Sequence, residues 1–194
     1  MLVSDVDEAS VMTQAVAHFG DLDPQDVALV LARAKCEAVT GILNGDSCPE
    51  DAPAEALVLG CDSVLELDGE LHGKPADEAE ATQRWKAMRG RTGLLHTGHW
   101  LIDDRDPSQG GTGATFGAVA STAVHFAKVT DEEIAAYVET AEPLQVAGAF
   151  TIDGLGGPFI SGIEGDHHNV VGLSLPLLRE MLGDLNLTWF DLTS

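Results

Sequence analysis

The sequence predicts an α/β domain built on a mixed sheet, and three observations carry that prediction. Apolar residues recur at helical spacing in some segments and alternate or run together at strand length in others. The two kinds of segment are interleaved along the chain, with hairpin signals between strands. No internal repeat or long linker separates them, and 194 residues, 44% of them hydrophobic, suit a single domain over 1–194 with a sizeable core.

Taken in order, residues 1–10 read as the tail of a strand or a loop ending in Asp7-Glu8, and residues 11–22 as a short helix or loop. Asp23-Pro24 is a helix start, a cap followed by proline in the first turn. Val27, Val30, Leu31, Ala34 and Ala38 follow at helical spacing, and Lys35 borders that stripe. On spacing alone Lys35 is an exposed lysine, although its long stem allows it to snorkel from the core edge. Residues 41–54 are rich in Gly, Asn, Asp, Ser and Pro and form a surface loop.

Leu57 to Pro75 is the most informative stretch. Four apolar or small residues read as a buried strand, and Gly60-Cys61-Asp62-Ser63 follows where that strand should end. A carboxylate there is costly to bury unless it is paired or binds a metal. Asp68-Gly69 gives a tight hairpin, and the returning arm ends in Gly73-Lys74-Pro75, a fixed turn carrying a cation. One hairpin thus carries an anion and a cation, the combination a metal-bound polyphosphate needs.

Residues 76–89 predict a helix with Ala81, Trp85 and Met88 inward, and Leu94 to Asp103 a strand. His96 and His99 fall on opposite faces of that strand, so they are a poor chelating pair and read as core and surface histidines. Asp103 to Thr115 lacks the alternating ligands of a calcium loop and reads as a solvated hairpin loop. Phe116 to Val129 resumes a strand, and Thr130-Asp131-Glu132-Glu133 is a capping box. Ala147–Ile152 and Pro158–Ile163 flank a Gly-rich turn and read as a hairpin, without the Gly-Lys-Ser/Thr of a Walker loop. His167-His168-Asn169 reads as a surface loop, and Leu175–Leu182 as the last helix.

Composition excludes several classes. A formal charge of −22 excludes a general binder of nucleic-acid polymers, which needs a basic face. No run of eighteen apolar residues predicts a membrane span, and the first residues do not read as a signal peptide. Three cysteines, Cys36, Cys48 and Cys61, give no disulfide framework and suit a reducing cytoplasm. Six of the ten Lys and Arg (Lys74, Arg84, Lys86, Arg89, Arg91 and Arg105) cluster in one region. A local cationic patch can hold phosphates in an acidic protein, because salt screens charges beyond about 10 Å. Arg84, Lys86 and Arg89 read as a solvated helix face.

The pieces Asp7-Glu8, Leu31-Ala32-x-x-Lys35, Gly60-Cys61-Asp62-Ser63, Gly73-Lys74-Pro75, Gly90-Arg91, Thr97-Gly98, Ala147 to Gly154 and Asn169 to Leu173 come in the order and spacing of the Maf family, which the chain resembles over nearly its whole length. That resemblance implies a Maf or inosine triphosphatase-like fold, a long twisted mixed sheet flanked by helices. It implies a cytoplasmic nucleoside triphosphate pyrophosphatase that uses Mg or Mn, hydrolyses the α–β phosphoanhydride to a monophosphate and pyrophosphate, and often forms a homodimer. It implies Asp62 as the proton acceptor for water, Glu8 with Asp62 at the metal, Lys35, Lys74 and Arg91 on the phosphates, and Ser63 and Asp153 at positions that select the base. Ser63 and Asp153 stand where the family has Thr and Gln, and Gln145-Val146 replaces an Asp-Lys pair. The family's opening strand and Ser-x-Ser-Pro-Arg-Arg loop have no counterpart after Met1, so the expectation is a sheet short of its first strand–loop–helix. The alternative expectation is a catalytically impaired, nucleotide-binding or regulatory Maf-like protein linked to septum formation.

Overall fold

Two capping aspartates start the first helices of the computed structural model, which describes residues 2, 5–46, 48–53 and 55–192. Asp7 accepts from the Ser10 amide at 3.0 Å ahead of α1 (Glu8–Phe19), and Asp23 from the Asp26 amide at 2.9 Å ahead of α2 (Pro24–Leu43). Residues 11–22 are therefore mostly helix. The expectation for residues 1–10 falls partly on 1, 3 and 4, outside the described residues, and Glu8 begins α1 instead of ending a strand.

The strands are β1 (Leu57–Leu67), β2 (Glu70–His72), β3 (Thr92–Asp103), β4 (Thr115–Phe126) and β5 (Ile160–Glu164), in sheet order β2-β1-β3-β4-β5. The expected mixed sheet is corrected: all described neighbours are antiparallel. Leu67 pairs with Glu70 across a two-residue turn in which Asp68 and Gly69 have φ of 55° and 81°, the positive values a tight hairpin needs. β3 runs against β1, since the Asp104 amide bonds Ala56 O while Thr97 lies beside Ser63. β4 runs against β3, with bonds from Asp103 N to Ala114 O and from Phe126 N to Arg91 O, and β5 runs against β4. The two-residue turn between β1 and β2 and the 104–114 loop between β3 and β4 are too short for a crossover, so those pairs must be antiparallel.

The chain divides into two compact units. The first comprises Met1–Asp62, Gly98–Val119 and Leu175–Ser194, and contains α1, α2 and α6 (Leu175–Asp184). Leu101, Met181 and Leu185 are buried there with Leu57, Leu59, Phe116 and Leu177 packed against them. The fully buried line of α2 is Ala28, Ala32 and Cys36, rotated from the expected stripe. Glycines set this rotation: a Cβ on Gly60 would lie 2.4 Å from Ala32 O, and one on Gly98 2.3 Å from Ala28 O. Strand and helix backbones thus meet across small residues.

Two readings in this unit are corrected. His99 is buried, as is His96 in the second unit, so neither is a surface histidine. The loop after β3 is rooted on a buried carboxylate. Asp103 accepts from Arg105 Nε at 2.7 Å, Arg105 Nη2 at 3.0 Å, Thr112 N at 2.9 Å and Thr112 Oγ1 at 2.7 Å. Arg105, and after it the Thr112 donors, hold the Asp103 pKa well below the usual carboxylate range against the cost of burial. Arg105 is therefore committed to loop structure.

Burial also raises two thiols here, Cys36 to about 11 and Cys61 to about 12, the latter further disfavoured by Cys36 and Asp62. At pH 8 their thiolate fractions are about 10⁻³ and 10⁻⁴, and the thiolate is the nucleophile. Iodoacetamide is expected to alkylate Cys48 first, with Cys36 and Cys61 slower by at least about 100-fold; peptide mass mapping with time checks this. Equal rates would show that the two sites open readily.

The second unit comprises Ser63–Thr97 and Ala120–Ser174. Its helices are α3 (Glu78–Met88), α4 (Asp131–Glu139) and α5 (His167–Val171). Trp85 is fully buried, donates to Ala149 O at 2.8 Å, and meets Phe126, Tyr137 and Phe159 edge-on. The capping box at Thr130 and Glu133 is present. Arg84 is not solvated: it is buried and donates to Gly73 O and to Glu80. Lys86 and Arg89 both pair with Asp131. The hairpin expected at 147–163 is only half there. β5 forms, but Ala147–Ala149 is a 3-10 turn with φ of 67° at Gly148 and 62° at Ala149, values no strand can hold. Among the described residues no helix is long and apolar enough to cross a membrane.

Candidate active site

The first unit brings together three residues distant in sequence. Lys35 Nζ, from the middle of α2, lies 2.9 Å from Glu8 Oε1 and is also hydrogen-bonded to Asp62 Oδ1. The local geometry explains the meeting. Gly60 lets β1 approach α2 at Ala32 and Cys36. Asp62, two residues on, returns to the same strand face, and Lys35, one turn past Ala32, returns to the same helix face. Glu8 arrives from the first turn of α1, which packs beside α2. Lys35 thus reaches a site from the core edge, and the reading of it as an exposed lysine is corrected.

Asp62 has a side chain only 12% exposed, Lys35 24% and Glu8 51%, so the pair nearest the strand is the most shielded from solvent. Burial works against the Lys35 ammonium, but hydrogen bonds and charge from Asp62, then Glu8, outweigh it and hold its pKa above the ordinary lysine value. Lys35 therefore stays cationic at neutral pH. Two carboxylates and one ammonium leave a net negative site built of hard oxygen donors, the donor set that Mg and Mn prefer.

Gly60→Ala tests this construction. Its Cβ would meet Ala32 O at 2.4 Å, Cys36 Cβ at 2.6 Å and Cys36 N at 2.7 Å, mostly backbone that cannot yield. The expected result is a loss of about 1–3 kcal/mol in stability, read by urea denaturation, with the Asp62–Lys35 contact displaced. Wild-type stability would refute the close-approach argument.

The other sequence-designated residues lie in the second unit. Ser63 Oγ is 2.8 Å from Thr97 Oγ1, and Thr97 in turn donates to Asn169 O at 3.2 Å. Lys74 is exposed on a turn whose preceding carbonyl, Gly73 O, accepts from Gly148 N at 3.0 Å and from buried Arg84. Arg91 pairs with Asp68 of the β1–β2 turn, and Asp153 accepts from Thr151 Oγ1. Among the described residues no hydrogen bond or ion pair joins any two of Ser63, Lys74, Arg91 and Asp153.

Sequence reasoning gave no structural role to three organisers in this unit. Thr97 and Asn169 are wholly buried, and Asn169 Nδ2 ties Leu95 O, Ala120 O and Thr122 Oγ1 together at 3.1–3.3 Å. Glu142 accepts from Leu155 N at 2.9 Å, Gly156 N at 2.9 Å and Tyr137 Oη at 2.8 Å, which fixes the glycine-rich turn after Asp153. Burial opposes the Glu142 charge, but these donors outweigh it and lower its pKa. The motif Asn169-Val170-Val171-Gly172 carried a signal for Asn169; nothing local marked Glu142.

The family model described as Maf-like protein matches residues 1–185. The chain is 51% identical over 189 residues to a nucleoside triphosphate pyrophosphatase of Leifsonia xyli subsp. xyli, covering 97% of this chain and 84% of the relative. It is 53% identical over 190 residues to the protein of that name from Salinispora tropica, with 96% and 74% covered. A third relative of the same name, from Streptomyces coelicolor, is 53% identical over 185 residues, with 95% and 79% covered. With a family match across nearly all its length and half its residues shared with such relatives, this chain belongs to the Maf family.

Proposed function

We propose that the chain is a nucleoside triphosphate pyrophosphatase, a hydrolase that cleaves the α–β phosphoanhydride of a nucleotide, canonical or modified, to nucleoside monophosphate and pyrophosphate. The name shared by its relatives supports the reaction class. The observation that carries the site is the convergence of Glu8 and Asp62 on Lys35 Nζ.

In this reading Asp62 orients the attacking water and accepts its proton, as a shielded carboxylate fixed by an ammonium can. Glu8 and Asp62 would hold a divalent ion, Mg or Mn, whose charge when bound neutralises phosphate oxygens. Lys35 and Lys74 stabilise the charge that develops on the leaving pyrophosphate. Arg91 joins them by exchanging Asp68 for a phosphate, a small cost because an exposed ion pair is worth about 0–1 kcal/mol. Ser63 and Asp153 contact the base. The same reading treats residues 1–194 as one Maf-like domain, acting in the cytoplasm as a homodimer, and light scattering measures the last point.

Phosphorus NMR of products from a panel of nucleoside triphosphates with Mg or Mn tests the reaction. Monophosphate and pyrophosphate are expected. Diphosphate and orthophosphate would overturn the bond assignment. Nucleotide binding without either product set would replace the enzyme with a non-catalytic nucleotide-binding protein.

A further inference from the structure

Asp166, His167 and His168 stand in the second unit at the start of α5, and the mechanism uses none of them. One donor atom from each lies within 4.8 Å of the others. The His167 and His168 rings are tilted face to face, with centroids 3.8 Å apart. Asp166 Oδ1 accepts from the His168 amide at 3.0 Å and lies 3.0 Å from His168 Nδ1, which fixes that ring. Asp166 Oδ2 is buried and has no hydrogen-bond partner among the described residues.

The base beneath this cluster is rigid. Thr122 Oγ1 donates to Asp166 O at 3.0 Å. The next residue, Asn169, is wholly buried and bonded to Leu95, Ala120 and Thr122. Asp166 and His168 are thus held in place before any ligand arrives, which removes part of the ordering cost of binding.

We propose that Asp166, His167 and His168 form a binding site for a late first-row divalent transition ion, zinc being the best matched. Two imidazoles and a carboxylate are softer than the paired carboxylates of Glu8 and Asp62. They favour Zn, Ni and Cu over Mg and Mn. Three protein donors leave at least one coordination position for water, as in open zinc sites. The donors are near the surface, with His167 exposed, so the ion exchanges freely. This inference is independent of the pyrophosphatase reading: the two sites use different residues and different donor chemistry.

The test is zinc titration of the full-length, untagged chain against a chromogenic zinc indicator, with excess magnesium present. The expected result is one zinc per chain with Kd of roughly 1 μM, unaffected by magnesium. His167→Gln and His168→Gln are each expected to weaken binding by about 10-fold or more, and Asp166→Asn by about 10–100-fold. Zinc should raise the thermal midpoint of the wild type and not of His167→Gln. Asp166 caps α5, so its variant can lose structure. His167 is exposed, and circular dichroism of His167→Gln establishes that a loss of binding is local. Unchanged affinity in both histidine variants overturns the proposal. So does zinc binding that disappears in Glu8→Gln and survives in His167→Gln, or no stoichiometric binding at all.

Discussion

Asp62→Asn is expected to lower kcat for nucleoside triphosphate cleavage by about 10²- to 10⁴-fold while leaving the protein folded. Asn conserves the volume of a side chain that is largely buried, and removes only its negative charge and its basicity. Lys35 is not stranded by the change, because Glu8 Oε1 remains 2.9 Å from its ammonium. The lost rate therefore reports the proton acceptor and not a collapsed site. The measurement is pyrophosphate release with Mg or Mn from wild type and variant at matched thermal midpoints. Equal rates would remove Asp62 from the chemistry. A fall in kcat/KM confined to KM would move it from proton transfer to binding.

Trp85→Ala is expected to cost about 3–5 kcal/mol in stability. Its ring is fully buried and meets Phe126, Tyr137 and Phe159 at centroid distances of 5.8, 5.4 and 5.7 Å. Its indole N–H is also the 2.8 Å donor to Ala149 O, in a turn where Gly148 and Ala149 both have positive φ. Truncation opens a cavity and removes the donor from a buried carbonyl in the same step. Urea unfolding followed by far-UV dichroism gives the number. Trp85→Phe, which refills most of the volume without the N–H, should recover more than half of it. A loss below about 1 kcal/mol for the alanine variant would show that the aromatic cluster collapses around the gap.

What was legible in the sequence follows the range of the forces involved. Asp23-Pro24, the Thr130–Glu133 capping box and the Asp68-Gly69 turn were readable because each is satisfied within a few residues. The meeting of Lys35 with Asp62, 27 residues apart, was not readable from spacing. It depends on a glycine that lets two backbones touch, and only family resemblance pointed to it. Arg84 looked solvated because its helix face is polar, yet besides Glu80 it donates to a main-chain carbonyl at Gly73, which has no sequence signature. The sheet looked mixed because helices and strands alternate. Alternation alone does not fix strand direction, which depends here on the two-residue turn at Asp68-Gly69, the 104–114 loop and the long return from β4 to β5. The 147–152 segment looked like a strand because its residues are apolar, but Ala149 has a positive φ and its carbonyl is bonded by Trp85, 64 residues away.

The adjacency of Asp62 and Ser63 has an evolutionary consequence. Asp62 lies with Lys35, while the next residue, Ser63, lies with Thr97. A single-residue insertion or deletion within the middle of β1 would move every following side chain to the other face. A deletion would put a hydroxyl where the proton acceptor is proposed, and an insertion would put a carboxylate where the base contact is proposed. Changes of length should therefore accumulate in the segment 44–56 that follows α2, where they leave this phase intact, and be absent between Gly60 and Leu67. Divergence at position 63 can then proceed by substitution alone, which is the kind of change that alters a nucleotide preference without disturbing hydrolysis.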